Sequence, residues 1–135
     1  MAKSGRAFAD RKKIEVLSAA KTVEVHDCGT VFMTGDINAT INLPSAAAAG
    51  KGWWCKFILT ADLGAGDVVI NLNGSDTLEV VSVSAAGGAT DITGTAELQF
   101  KDGAATKGDQ IEMLTDGTSW YALGHCAADT GIDAA

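Results

Sequence analysis

GDQIEMLTDGTSWYALG, residues 108–124, decides how the rest of the chain is read. Two apolar runs, IEML and WYAL, flank an Asp-Gly-Thr-Ser turn at residues 116–119. Asp-Gly between alternating apolar runs is the strongest short-range signal for a β-hairpin. Across such a hairpin Ile111 and Met113 pack against Trp120 or Tyr121, and the last strand completes a sheet.

The same grammar recurs outward from the hairpin. From Ile14 onward, short apolar runs are broken every eight to twelve residues by Gly, Asn, Asp or Ser, the spacing of an all-β sandwich or barrel. ATINL (39–43) and AELQFK (96–101) alternate with period two, so Ile41, Leu43, Leu98 and Phe100 share the inward side of half-buried strands. Further strands are predicted at 14–17, 21–25, 30–34, 53–60, 67–72, 77–83, 110–114 and 120–124. SAAAAGKG (45–52) reads as an N-cap, a tetra-alanine run and a glycine stop, too short for more than a single turn. Residues 84–95 are small and polar, which predicts a long loop or an irregular strand. The expected fold is all-β: an antiparallel β-sandwich or jelly-roll-like barrel of about ten short strands.

Charge divides the chain into parts. The net charge is −7, yet residues 1–13 hold five of the ten basic residues, Lys3, Arg6, Arg11, Lys12 and Lys13, against Asp10 alone. The remainder has five basic residues and sixteen acids, a balance of −11. The organisation read from this is a basic, extended N-terminal arm (1–13), a β-sandwich domain (14–124) and a polar C-terminal tail (125–135), exposed or laid along a neighbour. An acidic body repels phosphates, so no nucleic-acid partner is expected. No apolar run is long enough to span a membrane, and the N-terminus lacks the apolar stretch of a secretory signal. Three cysteines, Cys28, Cys55 and Cys126, have no CxxC spacing and fit intracellular free thiols better than a disulfide framework.

Catalytic chemistry finds little footing. His26-Asp27-Cys28 and His125-Cys126 contain both histidines, but no zinc spacing matches and a turn explains the first group. Adjacent strand residues point to opposite faces, so His125 and Cys126 do not form a thiol dyad. Most acids sit in turns, where they accept from backbone donors. GAGD (64–67) and the Gly87-Gly88 pair lack the helix and lysine of a phosphate-binding loop. No catalytic residue, cofactor or metal is therefore assigned, and the chain is read as not an enzyme. The aromatic pairs Trp53-Trp54 and Trp120-Tyr121 are the remaining candidates. On a strand each pair splits, leaving one ring outward as a contact for a glycan or another subunit.

Taken in order, IEVLSAAKTVEVHDCGTVFM, ATINLPSAAAAGKGWWCKFILT, DVVINLNGSD and GDQIEMLTDGTSWYALG resemble the small β-rich structural proteins of tailed bacteriophages, the head decoration (cement) proteins. The shared features are a strand ending in Leu-Pro, an Ala-rich loop closed by Gly, a strand ending in ILT, and the closing GD…TDG…WY hairpin. The resemblance spans about residues 14–124; Cys28 departs from it, standing where a small polar residue is expected. It implies a homotrimer on the outer surface of the virion, made in the host cytoplasm, with the major capsid protein as partner and the arm as its contact. The alternative is a fibre or carbohydrate-binding module that meets the host surface through exposed aromatics.

Overall fold

Turn residues cut this chain into short strands, and period-two alternation gives each strand its inner and outer side. The computed structural model describes residues 11–134, without the side chains of Val81, Ser82, Val83 and Thr90. In chain order the elements are β1 (Lys13–Leu17), β2 (Lys21–Thr22), β3 (Thr30–Thr34), β4 (Ala39–Asn42), α1 (Ala46–Ala49) and β5 (Trp54–Leu59). There follow β6 (Val68–Asn71), β7 (Leu78–Ser84), β8 (Ala89–Asp91), β9 (Glu97–Phe100), β10 (Gln110–Thr115), β11 (Trp120–Cys126) and β12 (Ile132–Ala134). Strand accounts for 43% and helix for 6%, so the all-β expectation holds.

The strands form two sheets that enclose one core. The larger has the order β1-β3-β5-β10-β11-β7-β8 and the smaller β12-β9-β6-β4-β2. Pairing is mixed rather than antiparallel throughout. From β1 to β6 the chain changes sheet at every connection, so β1, β3 and β5 line up parallel in one layer and β2, β4 and β6 in the other. Successive strands of one layer arrive after a full winding and therefore run the same way. The antiparallel part is later: the β10–β11 hairpin docks on β5, and β9 docks on β6.

The hairpin turn is built as its residues dictate. Asp116 Oδ1 accepts from the backbone N–H groups of Thr118 and Ser119, both at 2.8 Å. Gly117 takes φ 92°, a conformation an L side chain rarely adopts, and its N–H donates to Thr115 Oγ1. At α1, Ser45 Oγ accepts from Ala48 N as an N-cap, and Gly50 with φ 84° follows the single turn.

Inward-facing residues from both layers make the core. Phe32 and Phe57 stack at 5.2 Å, while Ile41, Ile70, Leu98 and Phe100 meet them from the smaller sheet, all fully buried. At the β1–β2 edge Lys21 Nζ pairs with Glu15 at 2.8 Å and Asp27 at 3.7 Å, and lies 5.7 Å from the Phe32 ring centroid.

Both boundaries of the body need correction. Lys13, assigned to the arm, is the first residue of β1 and donates to the His26 carbonyl. The polar tail is bound into the body over its described residues. His125 and Cys126 end β11, Ile132 is fully buried, and β12 pairs with β9. Ser84 Oγ donates to the Asp129 carboxylate, and buried Asp109 accepts from Ala127 N, so the segment is tied at each end.

Candidate functional site: the outer face of the larger sheet

The outward sides of the two sheets differ in chemistry. On the smaller sheet they carry Thr40, Asn42, Val69, Asn71, Glu97 and Gln99. Asn71 Nδ2 donates to Asn42 Oδ1 and Gln99 Nε2 to Asp133 Oδ1, a polar lattice suited to water. On the larger sheet the outward positions are mostly apolar. Ile14 and Val16 of β1, Leu114 of β10, and Tyr121 and Leu123 of β11 are exposed, Val16 at 74%. Met33, Trp54 and Ile58 join them half-buried, and Val31 is covered.

Register arranges these side chains in rows across the strands. In one row Trp54 stands opposite Leu114, and Leu114 opposite Tyr121. The next row runs Ile14, Val31, Lys56, Glu112, Leu123. The third runs Val16, Met33, Ile58, Gln110, His125. Two open depressions lie here, one lined by Lys56, Gln110, Glu112, Leu123 and His125, the other by Glu112, Leu114, Tyr121, Ala122 and Leu123. Exposed apolar side chains gathered on one face, with Lys56, Glu112, Gln110 and His125 between them, mark a candidate contact surface.

Each aromatic pair splits as strand geometry requires. Trp53 and Trp120 are buried in the core, whereas Trp54 and Tyr121 reach the outer face. Tyr121 Oη donates to Asp116 Oδ2 at 3.2 Å. That bond, with the Asp116 charge, raises the phenol pKa, and backbone donation from Ser119 and Thr118 holds the Asp116 carboxyl below its ordinary value. From the arm, Lys12 Nζ lies 5.9 Å from the Trp54 ring centroid, within cation–π range. Arg11 is exposed; Lys3 and Arg6 lie outside the described residues.

The two histidine–cysteine groups do not converge on a ligand set. His125 points outward and Cys126 inward, as neighbours on a strand must. His26 and Cys28 are exposed near Glu24 and Asp27. Among the described residues no group of three or more His, Cys, Asp or Glu side chains is placed to hold a metal ion. Cys55 is buried, and that burial pushes its thiol pKa well up.

Ile14, Val16, Leu114 and Leu123 escaped the sequence reading as surface residues. Their signal was present: β10 carries Leu114 on the parity opposite Ile111 and Met113, and β5 carries Trp54 and Ile58 opposite Cys55, Phe57 and Leu59. A strand apolar on both parities belongs to a sheet covered on both sides. Comparison with family models, curated proteins and solved structures finds no match to this chain.

Proposed function

We propose that this chain is a non-enzymatic structural protein of a phage virion, a decoration protein that binds the assembled head and stabilises it. The observation that carries the reading is the set of exposed apolar side chains on the outer face of the larger sheet, Ile14, Val16, Leu114, Tyr121 and Leu123. Such side chains suit stable contact with other protein surfaces. Stabilisation follows from mass action, since a protein that binds only the assembled lattice favours assembly. The resemblance of the strand and hairpin motifs supplies the virion, its outer surface, the major capsid protein as partner and a ring of three copies. The basic arm supplies a contact to the acidic surface of a capsid subunit, and multivalency multiplies contacts each worth under about 1 kcal/mol.

Purified virions resolved on a stained gel test the reading. Hundreds of copies per particle are expected, and absence of the band overturns it. The second reading, a fibre or sugar-binding module, draws on Tyr121 and Trp54 on one outward row. It calls for a few to tens of copies. Replacing Lys3, Arg6 and Arg11 by Ser is expected to lower head occupancy while leaving Tm nearly unchanged, and about 1 M salt should weaken the intact protein likewise.

A further inference from the structure

The outer face of the larger sheet has a midline. β5 and β10 are adjacent, with β3 and β1 beyond one and β11 and β7 beyond the other. Lys56 and Glu112 are direct register partners across that line. Neither side chain enters an ion pair among the described residues. They share one depression with Gln110, Leu123 and His125. The half containing β5 holds a cation at the position where the half containing β10 holds an anion.

We infer that a second copy of this chain covers the face, related by a twofold axis that lies in the interface, parallel to the strands, between β5 and β10. Such an axis lays β5 of one copy over β10 of the other, and β3 over β11. Lys56 then meets the partner's Glu112, and Glu112 the partner's Lys56, both at once. Trp54 falls against the partner's Leu114. Twist makes aligned sheets cross at about 30°, so the charge match holds where the axis passes between Lys56 and Glu112 and loosens toward the strand ends. An isologous patch must be self-complementary, as the Lys56–Glu112 and Trp54–Leu114 pairs are.

The axis superposes six strands, leaving β8 outside. At about 4.8 Å spacing and about five residues deep these give roughly 475 Å² per copy. The pair buries about 950 Å², the size of a weak, concentration-dependent dimer. The second copy occupies the face that carries the virion reading, so contact with the head then falls to the basic arm, and the inference favours two copies where the resemblance favours three.

Charge exchange tests it. Sedimentation or light scattering at about 100 μM should give a dimer for the natural chain. Lys56→Glu alone and Glu112→Lys alone should each weaken self-association at least about a hundredfold, because two like-charge pairs then face each other. An equimolar mixture of the two variants should restore the dimer, because each contact between them again joins opposite charges. Restoration by mixing cannot come from repair within one chain. Leu123→Ser and Leu114→Ser alter side chains exposed in the single chain, so they should fold normally and still lose the dimer. A natural chain that is monomeric at about 100 μM overturns the inference. So does a trimer, a dimer indifferent to these substitutions, or failure of the mixture to recover when both variants are folded by circular dichroism. Head occupancy, measured separately on the gel, decides the virion reading whichever result is obtained.

Discussion

Trp53 and Trp120, one from each aromatic pair, meet edge to face inside the sandwich with ring centroids 5.6 Å apart. Trp53 Nε1 donates to the Val25 carbonyl at 2.7 Å, and Trp120 Nε1 to Asp76 Oδ2 at 3.4 Å. The same Asp76 oxygen accepts from Ala46 N at the start of α1. One carboxylate thus links the hairpin to the helical turn. The pair joins β11 to the segment entering β5, on top of the large area each indole buries.

Trp120→Ala should therefore cost about 3–5 kcal/mol, combining lost burial with a cavity. Tyr121→Ala, one residue on but outward, should stay within about 0.5 kcal/mol. Urea unfolding of both variants checks the partition, which is wrong if Tyr121 proves the costlier site.

Two threonines of β3 face the core with buried hydroxyls lacking a partner: Thr30 Oγ1 and Thr34 Oγ1. Replacing the hydroxyl by a methyl removes a desolvated polar group at nearly unchanged shape. Thr34→Val should stabilise by about 1 kcal/mol, raising Tm by roughly 3–5 °C in calorimetry. A fall in Tm would mean that the hydroxyl is satisfied in solution.

Thiol reactivity should separate the cysteines. Cys28 is exposed, whereas Cys55 and Cys126 are buried, and none is in a disulfide. Burial both shields Cys55 and disfavours its thiolate, the reactive form. A chromogenic disulfide reagent should titrate one thiol rapidly in the native protein and three after denaturation. Cys28→Ser should abolish the rapid phase. Persistence of that phase would contradict the burial of the other two.

Stability should decline at both pH extremes through nameable groups. The carboxyls of Asp36 and Asp116 are held below their ordinary value, chiefly by the N–H of Gly64 and of Ser119 respectively. Folded values below unfolded ones give stability that is complete above about pH 4–5 and lost as pH falls through the folded value. Lys21 is displaced upward, first by its hydrogen bond to Glu15, so its contribution is complete below about pH 10 and lost as pH rises beyond. Asp116→Asn should flatten part of the acid limb, and Lys21→Met part of the alkaline limb, in Tm measured against pH. Unchanged limbs would remove these groups from the account.

Alternation made the strands legible but left their neighbours open. ATINL and AELQFK declare which side is buried because the period is two, yet nothing in that period states whether the next strand runs parallel. Parallel pairing here arises from winding between layers, a long-range fact. β8 lies in the stretch read as a long loop or an irregular strand, and β12 went unseen, because ATD and IDA are too short to show alternation and owe their pairing to β7 and β9. For the site, the split of WW and WY was foreseeable from strand geometry, but which ring faced out was not. That depends on whether the first or second residue shares parity with the core. The outer face assembles residues from strands more than a hundred positions apart, and only register brings Ile14 into the row of Leu123.

The alternating passage of β1 to β6 between layers also bears on the order in which the protein folds. Each winding joins strands close in sequence, so these parallel pairs carry short loops to close. The large sheet cannot be completed in that way. β5 must wait for β10, beyond Leu59 by some fifty residues, and β7 must wait for β11. The slow step is then the docking of the β10–β11 hairpin between two preformed edges, which places folding in the millisecond-to-second range of non-local β proteins. A chain cut before Gly108 would leave β5 and β7 as bare edges on a hydrophobic sheet, the condition that invites edge-to-edge aggregation. The hairpin is the last part of the large sheet to arrive, so its tight Asp116-Gly117 turn governs how long those two edges stay exposed.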